Sequence, residues 1–371
     1  MINGVSMMGD VVINGKFLSA AMTGVHRVAF GLVEQLTCHQ PEIADLFGRP
    51  ASIVAPPTVA LTDRRPRMAI DRKGVLAGQL WEQLELPAKA RGKLLLNFCN
   101  LAPVLSATSI TMIHDTQVFT TPESYSRAFV RFYRTVQPVI GARAVRVLTV
   151  SRYSAEQLVR WNVAPADRIR VIHNGVDHAG HGVADPAVLR KLGLGTAGYV
   201  LALSSVQAHK NLKVLLEAFA SEPLADLRLV LFGAEGRSAA IAAGLAVPPN
   251  VLFAGRVSDG ELQALTENAL CYAMPSRTEG FGLPPLEAMF SGCPAVVSTG
   301  GALPEVCGDA ALYVDPDRPA EWIRAPRAVA DDRELRTRHA ALGRLRAAHF
   351  TWARAGESLM DVLREVARER R

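Results

Sequence analysis

Cysteine and aromatic residues are scarce in this chain, and each shortage closes off a class of protein. The five cysteines in 371 residues, Cys38, Cys99, Cys271, Cys293 and Cys307, are odd in number and form no CxxC pair. That indicates neither a disulfide framework nor a zinc site and fits a reducing cytosol. Phe, Trp and Tyr together make up only 6% of the sequence. No block of Lys and Arg is interleaved with them, as single-strand nucleic-acid binders require, so no nucleic-acid partner is expected. No uninterrupted apolar run reaches the length of a membrane span, and the first residues lack the basic-then-apolar order of a secretory leader. A cytoplasmic protein, soluble or peripheral on the inner face of the cell membrane, is expected. The first strand is followed by no GxGxxG, which argues against a dinucleotide-dependent oxidoreductase.

What is present is an aliphatic, moderately charged chain, 49% hydrophobic and 20% charged with a net charge of +6. Such a composition buries a large core and tolerates anionic partners such as sugar nucleotides or acidic lipid headgroups. The length exceeds what one core organises, so two domains with a cleft between them are expected. Val11–Ile13, Leu94–Leu96, Ile110–Ile113 and Val147–Val150 are short apolar runs of the kind buried in parallel sheets, separated by helical patterns. The Gly-rich stretch His178–Asp185 reads as a linker. Beyond it the alternation resumes, with strands at Tyr199–Leu203, Leu227–Phe232, Val251–Phe253, Leu270–Ala273 and Ala295–Val297. Helices are expected at Leu212–Phe219, Asp259–Asn268 and Pro284–Phe290. The fold class expected is α/β, two doubly wound Rossmann-like lobes, divided as 1–178, 179–345 and a terminal helical segment 346–371.

The chemistry concentrates in Glu279-Gly-Phe-Gly-Leu-Pro-Pro-Leu-Glu287, a glycine loop between a strand and a helix that opens on prolines. Glycine lets a backbone approach a diphosphate, helix-start amides favour an anion, and carboxylates accept bonds from sugar hydroxyls. Glu279 and Glu287 are the candidate acceptors, although a carboxylate near a helix start also serves stability alone. Lys210, after the strand Tyr199–Leu203, is placed to neutralise a departing diphosphate or is a solvated helix-start lysine. His114, after Ile110–Ile113, either hydrogen-bonds a sugar hydroxyl or is satisfied by its own turn, with Asp115 capping the next segment. Gly24 is either a close-approach glycine or a turn glycine. Asp315-Pro-Asp317 imitates a DxD metal motif but reads as a loop.

With these residues in hand the chain resembles the family-4 retaining glycosyltransferases of the GT-B fold. The likeness rests on Thr23-Gly-Val25, Ile113-His-Asp115, Val150-Ser-Arg-Tyr-Ser154, Asn174-Gly-Val-Asp177, His209-Lys-Asn211, Gly255-Arg-Val257, Pro275-Ser276, Glu279–Glu287 and Leu303-Pro-Glu305, spread over most of the length. It implies that Glu287 holds the nucleotide ribose. Glu279 with Gly280, Phe281, Gly282 and Leu283 would hold sugar and diphosphate, while Lys210 neutralises phosphate and His114 contacts the donor sugar. Val257 would lie near the base and Gly24 near the diphosphate. From Phe350-Thr-Trp352 a terminal segment would cross back onto the first lobe. One departure is that Ser204 and Ser205 stand where many relatives carry a second phosphate-binding Arg.

The His-Lys-Asn variant and the Thr-Gly-Val-His-Arg27 start are nearest to mannosyltransferase-like polysaccharide enzymes. The resemblance thus implies hexosyl transfer, with mannose from GDP-mannose, to a lipid-linked saccharide in cell-surface polysaccharide synthesis. No cofactor or metal is implied; the nucleotide sugar is substrate. A UDP-sugar transferase, a sugar-nucleotide epimerase and a non-catalytic sugar-nucleotide binder are the alternatives. Arg127, Arg131 and Arg134, spaced on one helix among Phe129, Phe132 and Tyr133, form either a dock for anionic membrane or a solvated basic face. Arg64-Arg65-Pro-Arg67 with Arg72-Lys73 is a second such cluster.

Overall fold

In the computed structural model residues 10–369 are described, except Ala21, residues 60–65, Ala107, His181 and residues 195–197. Arg64 and Arg65 of the second basic cluster therefore lie outside the described residues. The chain divides into two compact units. One takes the described residues of Met1–Thr120, Arg127–Gly175 and Trp352–Arg371; the other takes Thr121–Ser126 and Val176–Thr351.

The first unit is built on β1 (Val11–Asn14), β2 (Ser52–Ala55), β3 (Ile70–Arg72), β4 (Leu94–Asn97), β5 (Ser109–Met112), β6 (Arg146–Thr149) and β7 (Ile169–Val171). They form one parallel sheet in the order β3-β2-β1-β4-β5-β6-β7, with Val12 beside Leu95 in register. The second unit carries β8 (Tyr199–Leu203), β9 (Arg228–Phe232), β10 (Val251–Gly255), β11 (Cys271–Met274), β12 (Ala295–Ser298) and β13 (Leu312–Val314). These are again all parallel, in the order β10-β9-β8-β11-β12-β13, and Leu201 faces Tyr272. All four residues of β1, β4 and β11 are buried. Strands covered on both faces need no polar alternation, so they read as continuous apolar runs.

Helices cover those faces by the apolar stripe each presents. In the second unit Leu212, Leu215, Leu216 and Phe219 of the helix Leu212–Phe219 pack on Val200, Ala202, Leu229 and Leu231, with Trp322 and Val329 completing the core. Each such side chain contributes about 2 kcal/mol when removed from water. In both sheets the order reverses beside the first strand, at β1/β4 and at β8/β11. Loops leaving the two strands of each pair part in opposite directions, which opens a crevice at the carboxyl edge.

The last helix, Trp352–Glu369, belongs to the first unit although the chain reaches it through the second. Its indole lies on Gly31, where an added Cβ would come within 2.4 Å of the ring. Glu365 ties it down electrostatically, accepting from Arg146 Nη2 at 3.0 Å and from Arg170 Nε at 3.0 Å. Arg364 reaches Glu42 at 2.6 and 3.0 Å. The hydrogen bonds from Arg170 and then Arg146 hold the Glu365 carboxyl down to about 2. Its folded pKa lies below the unfolded one, so this stabilisation is full at neutral pH and disappears as pH falls from about 5 towards 2. Glu365→Gln should lower Tm at pH 7 by about 2–4 °C and reduce the acid dependence over that window. Equal Tm at pH 7, measured by calorimetry, would remove the clamp from the account.

Candidate functional site

The loop leaving β8 and the loop leaving β11 border the reversal point of the second sheet, and each delivers one charged side chain there. Lys210 Nζ donates to both oxygens of Glu279, at 2.8 and 3.1 Å. Glu279 is buried and the Lys210 side chain is 21% exposed, so a buried carboxylate is compensated by an ammonium that still reaches solvent. Lys210 does not open a helix as the sequence suggests. It ends a single turn, Ala208–Lys210, and Asn211 follows at φ 55°, a left-handed residue from which Leu212–Phe219 starts. Asn211 is fixed by Nδ2 donation to the carbonyls of Pro275 (3.2 Å) and Pro316 (2.7 Å). The β8 and β11 loops are thereby joined directly, through side chain to backbone.

The glycine loop is equally constrained. Gly282 has φ 95° and a Cβ there would meet Leu303 at 2.6 Å, so only glycine fits. Gly301, at φ 66°, lies so close to Glu279 that a Cβ would stand 2.4 Å from its backbone nitrogen. Ala302 N donates to the Glu279 carbonyl at 2.9 Å, which holds the loop from below. The helix begins at Leu283, one residue earlier than expected, with prolines at its next two positions. Pro284 and Pro285 have no N–H, so amides for an anion must come from Gly280–Leu283 and not from later in the first turn. Phe281 is buried edge-on against Phe350 at 5.7 Å.

Glu287, four residues into the helix, accepts a hydrogen bond from His178 Nε2 at 2.9 Å. His178, which the sequence places at the start of a linker, sits in a helical turn, Asp177–Gly180, within the second unit. Val257 is half-buried, just before Ser258, whose hydroxyl and the Glu261 carboxylate cap the helix Asp259–Asn268 reciprocally. His209 is 1% exposed, and burial followed by Lys210 pushes its imidazole down to about 4, so it is neutral. Its Nδ1 lies 2.9 Å from Ser124 Oγ and its ring stacks on Tyr125. His209 therefore supplies no second cation, and Arg277 is turned to Asp317 at 2.7 Å. Ser204 is buried with its hydroxyl donating to the Glu235 carbonyl at 2.5 Å. Asp315 and Asp317 are engaged in their own turn, Asp317 N donating to Asp315 Oδ1 at 2.9 Å.

In the first unit His114 follows β5. It is buried, its Nε2 is 2.7 Å from the Phe98 carbonyl, and burial takes its pKa down to about 4. Asp115 Oδ1 accepts from Gln117 N at 2.9 Å, the turn-capping arrangement that the sequence left open. Gly24 is exposed at the first position of the helix Gly24–Cys38. Thr23 Oγ1 bonds His26 Nδ1 at 2.7 Å and does not cap that helix. The residues that sequence reasoning missed, Ser124, His178 and Gly301, all act across long chain separations and carry no local signal; Asn211 was visible only as part of the His209-Lys-Asn211 motif, not as the anchor between loops.

Two loops at the reversal point of a parallel sheet, one bringing Lys210 and the other, shaped by glycine, bringing Glu279, set a cation and a carboxylate where α/β sheets bind phosphate- and hydroxyl-bearing ligands. Residues 188–346 match the family of group 1 glycosyl transferases, and residues 94–179 match glycosyltransferase family 4. An O-antigen chain mannosyltransferase B of Escherichia coli is 33% identical over 66% of this chain and 67% of its own length. A D-inositol 3-phosphate glycosyltransferase of Salinispora arenicola is 31% identical over 61% of this chain and 56% of its own length, so the match spans little more than half of that relative. Among solved structures, Anabaena HepE in complex with UDP-glucose superposes with a TM-score of 0.73 at 17% identity, covering 96% of this chain and 99% of that one. The chain belongs to the family-4 glycosyltransferases of the GT-B fold and is a hexosyltransferase.

Lys210→Ala should abolish transfer and also destabilise the protein by about 3 kcal/mol, because Glu279 would be left buried without its cation. Adding Glu279→Gln should restore Tm without restoring activity. A double variant as unstable as the single one in urea titration would show that the pair is not coupled.

Proposed function

We propose that the chain moves a mannosyl residue from GDP-mannose to a lipid-linked saccharide, with retention at the anomeric carbon and without a metal. The observation that carries this is the Lys210–Glu279 pair at the β8/β11 reversal, held by Asn211 and Gly301. Mannose is supported by the O-antigen mannosyltransferase relative and by the His209-Lys-Asn211 variant.

In the reaction the bond from the anomeric carbon to the β-phosphate oxygen breaks. The acceptor hydroxyl oxygen bonds to that carbon on the same face, and the hydroxyl proton passes to the departing diphosphate. Negative charge grows on that diphosphate, so catalysis is electrostatic. Lys210 and the amides of Gly280–Leu283 meet the growing charge, each well-placed donor contributing about 3 kcal/mol. Lys210 does so by loosening its hold on Glu279, which frees that carboxylate to accept from donor-sugar hydroxyls. Glu287, oriented by His178, accepts from the ribose hydroxyls; Val257 borders the base.

Docking on anionic membrane is part of the same proposal, since a lipid-linked acceptor is presented there. On the helix Arg127–Arg143, Phe129 and Phe132 are each 39% exposed, and Arg127 and Arg131 are exposed beside them. Arg134 is occupied otherwise, donating to the carbonyls of Val118 (2.8 Å) and Phe119 (3.1 Å). No described helix is long and apolar enough to cross a membrane.

Thermal-shift titration with GDP-mannose, UDP-glucose and related donors tests the donor, since a ligand of the folded state raises Tm; the largest shift is expected with GDP-mannose. Glu287→Ala should weaken donor binding about tenfold, the loss of one charge-assisted hydrogen bond. Unchanged donor affinity would take the ribose away from Glu287. In liposome flotation, Arg127→Glu with Arg131→Glu should abolish recovery on anionic vesicles; recovery independent of anionic lipid would dispose of the docking face.

A further inference from the structure

The first sheet has its own reversal point, between β1 and β4, and it carries a charge pair that the donor site does not use. Asn14 ends β1 and Asn97 ends β4. Asn14 Nδ2 donates to Asn97 Oδ1 at 3.0 Å and to Glu82 Oε1 at 2.7 Å. Glu82, on the helical stretch that follows Ala77, is 1% exposed. Its other oxygen accepts from Lys16 Nζ at 2.5 Å, and that ammonium also donates to Gln79 Oε1 at 3.1 Å. The Lys16 side chain is 19% exposed, so the buried carboxylate holds a cation at the mouth of the crevice. Two of the three ammonium N–H groups are engaged; the third has no protein partner among the described residues.

Burying such a pair contributes little to stability compared with apolar packing, which makes a reversal point an unexpected place for one unless it is used. Among the described residues, the histidines beside it add no positive charge. His26 is held below its usual pKa by burial and by Lys16, and His114 is neutral. The Cys99 thiol and the Tyr133 phenol are both pushed up to about 12, mainly by burial. Asp115 is the further charge that bears on Tyr133. Glu82 is buried and also tied to Asn14, so it does not release Lys16; an anion meets a lysine that stays neutralised, whereas a hydroxyl accepts from its remaining N–H.

We infer that Lys16 and Glu82, at the β1/β4 reversal, form a binding site for the hydroxyl groups of an uncharged acceptor sugar and discriminate against a phosphorylated polyol. The inference rests on the transferase function proposed above and adds the class of acceptor to it. It separates this chain from relatives whose named acceptor carries phosphate, such as the D-inositol 3-phosphate glycosyltransferase.

The test is saturation-transfer NMR on the full chain with two probes, methyl α-mannoside and myo-inositol 1-phosphate, with GDP and UDP thermal shifts on the same samples. Wild type should bind the mannoside and not the phosphate. Lys16→Met should weaken the mannoside about tenfold, as loss of a charge-assisted hydrogen bond does. Glu82→Gln, which frees the lysine charge, should gain the inositol phosphate. Nucleotide shifts should be unchanged in both variants. Wild type binding inositol phosphate as well as mannoside overturns the inference and needs no variant to fold. Mannoside binding undiminished in Lys16→Met overturns it too. Absence of any nucleotide shift in wild type would instead sink the donor proposal, with the probe arms still readable.

Discussion

Parallel pairing is the constraint on which the rest depends. A strand whose neighbours run the same way must be reached by a crossover, and the crossover must lie on a face of the sheet. Both faces are then covered, so the central strands are apolar on both sides, as β1, β4 and β11 are. Polar chemistry is displaced to the loops at the carboxyl edge. Where strand order reverses, two such loops diverge and leave room, and both units place their charge pairs there: Lys210 with Glu279 beside β8/β11, Lys16 with Glu82 beside β1/β4.

The two pairs are built differently, and the difference follows from what surrounds them. Lys210 contacts both oxygens of one carboxylate, in a loop shaped by glycines that admit close approach. In the proposed transfer this ammonium passes from carboxylate to phosphate while Glu279 turns to sugar hydroxyls. Glu82 instead divides its oxygens between Asn14 and Lys16, and is bonded into the strand ends themselves. It cannot let go without leaving a buried carboxylate short of partners. One pair is suited to trading partners during a reaction, the other to staying in place.

Much of the fold was legible because buried parallel strands and amphipathic helices leave local marks. Tyr199–Leu203, Leu212–Phe219 and Asp259–Asn268 fall where the pattern puts them, the last fixed by the Ser258–Glu261 capping box. The strands that escaped were β2 and the edge strands β3, β7 and β13. Ile70-Asp-Arg72 is three residues long, ends exposed and has no apolar run. For the site, the strand–loop–helix context of Glu279–Glu287 was readable from the glycines and prolines. The pairing of Lys210 with Glu279 was not, since the two are 69 residues apart and the loop of Lys210 is anchored by Asn211 reaching Pro275 and Pro316, 64 and 105 residues away. Likewise the neutrality of His209 follows from burial beside Ser124, 85 residues earlier in the chain. Burial of that kind is a property of the assembled lobe.

The placement of Trp352 on Gly31 has a consequence for how the molecule is made. A ribosome delivers the chain from its first residue, and domains usually fold as they emerge. Here the helix Trp352–Glu369, which carries the partners of Arg146, Arg170 and Glu42, is synthesised only after the second unit. The first unit therefore emerges with the face that receives Trp352 uncovered, and waits for the whole second unit to be translated before it is complete. The lobe that begins first finishes last, and a ribosome stalled anywhere within the second unit leaves an unfinished first one.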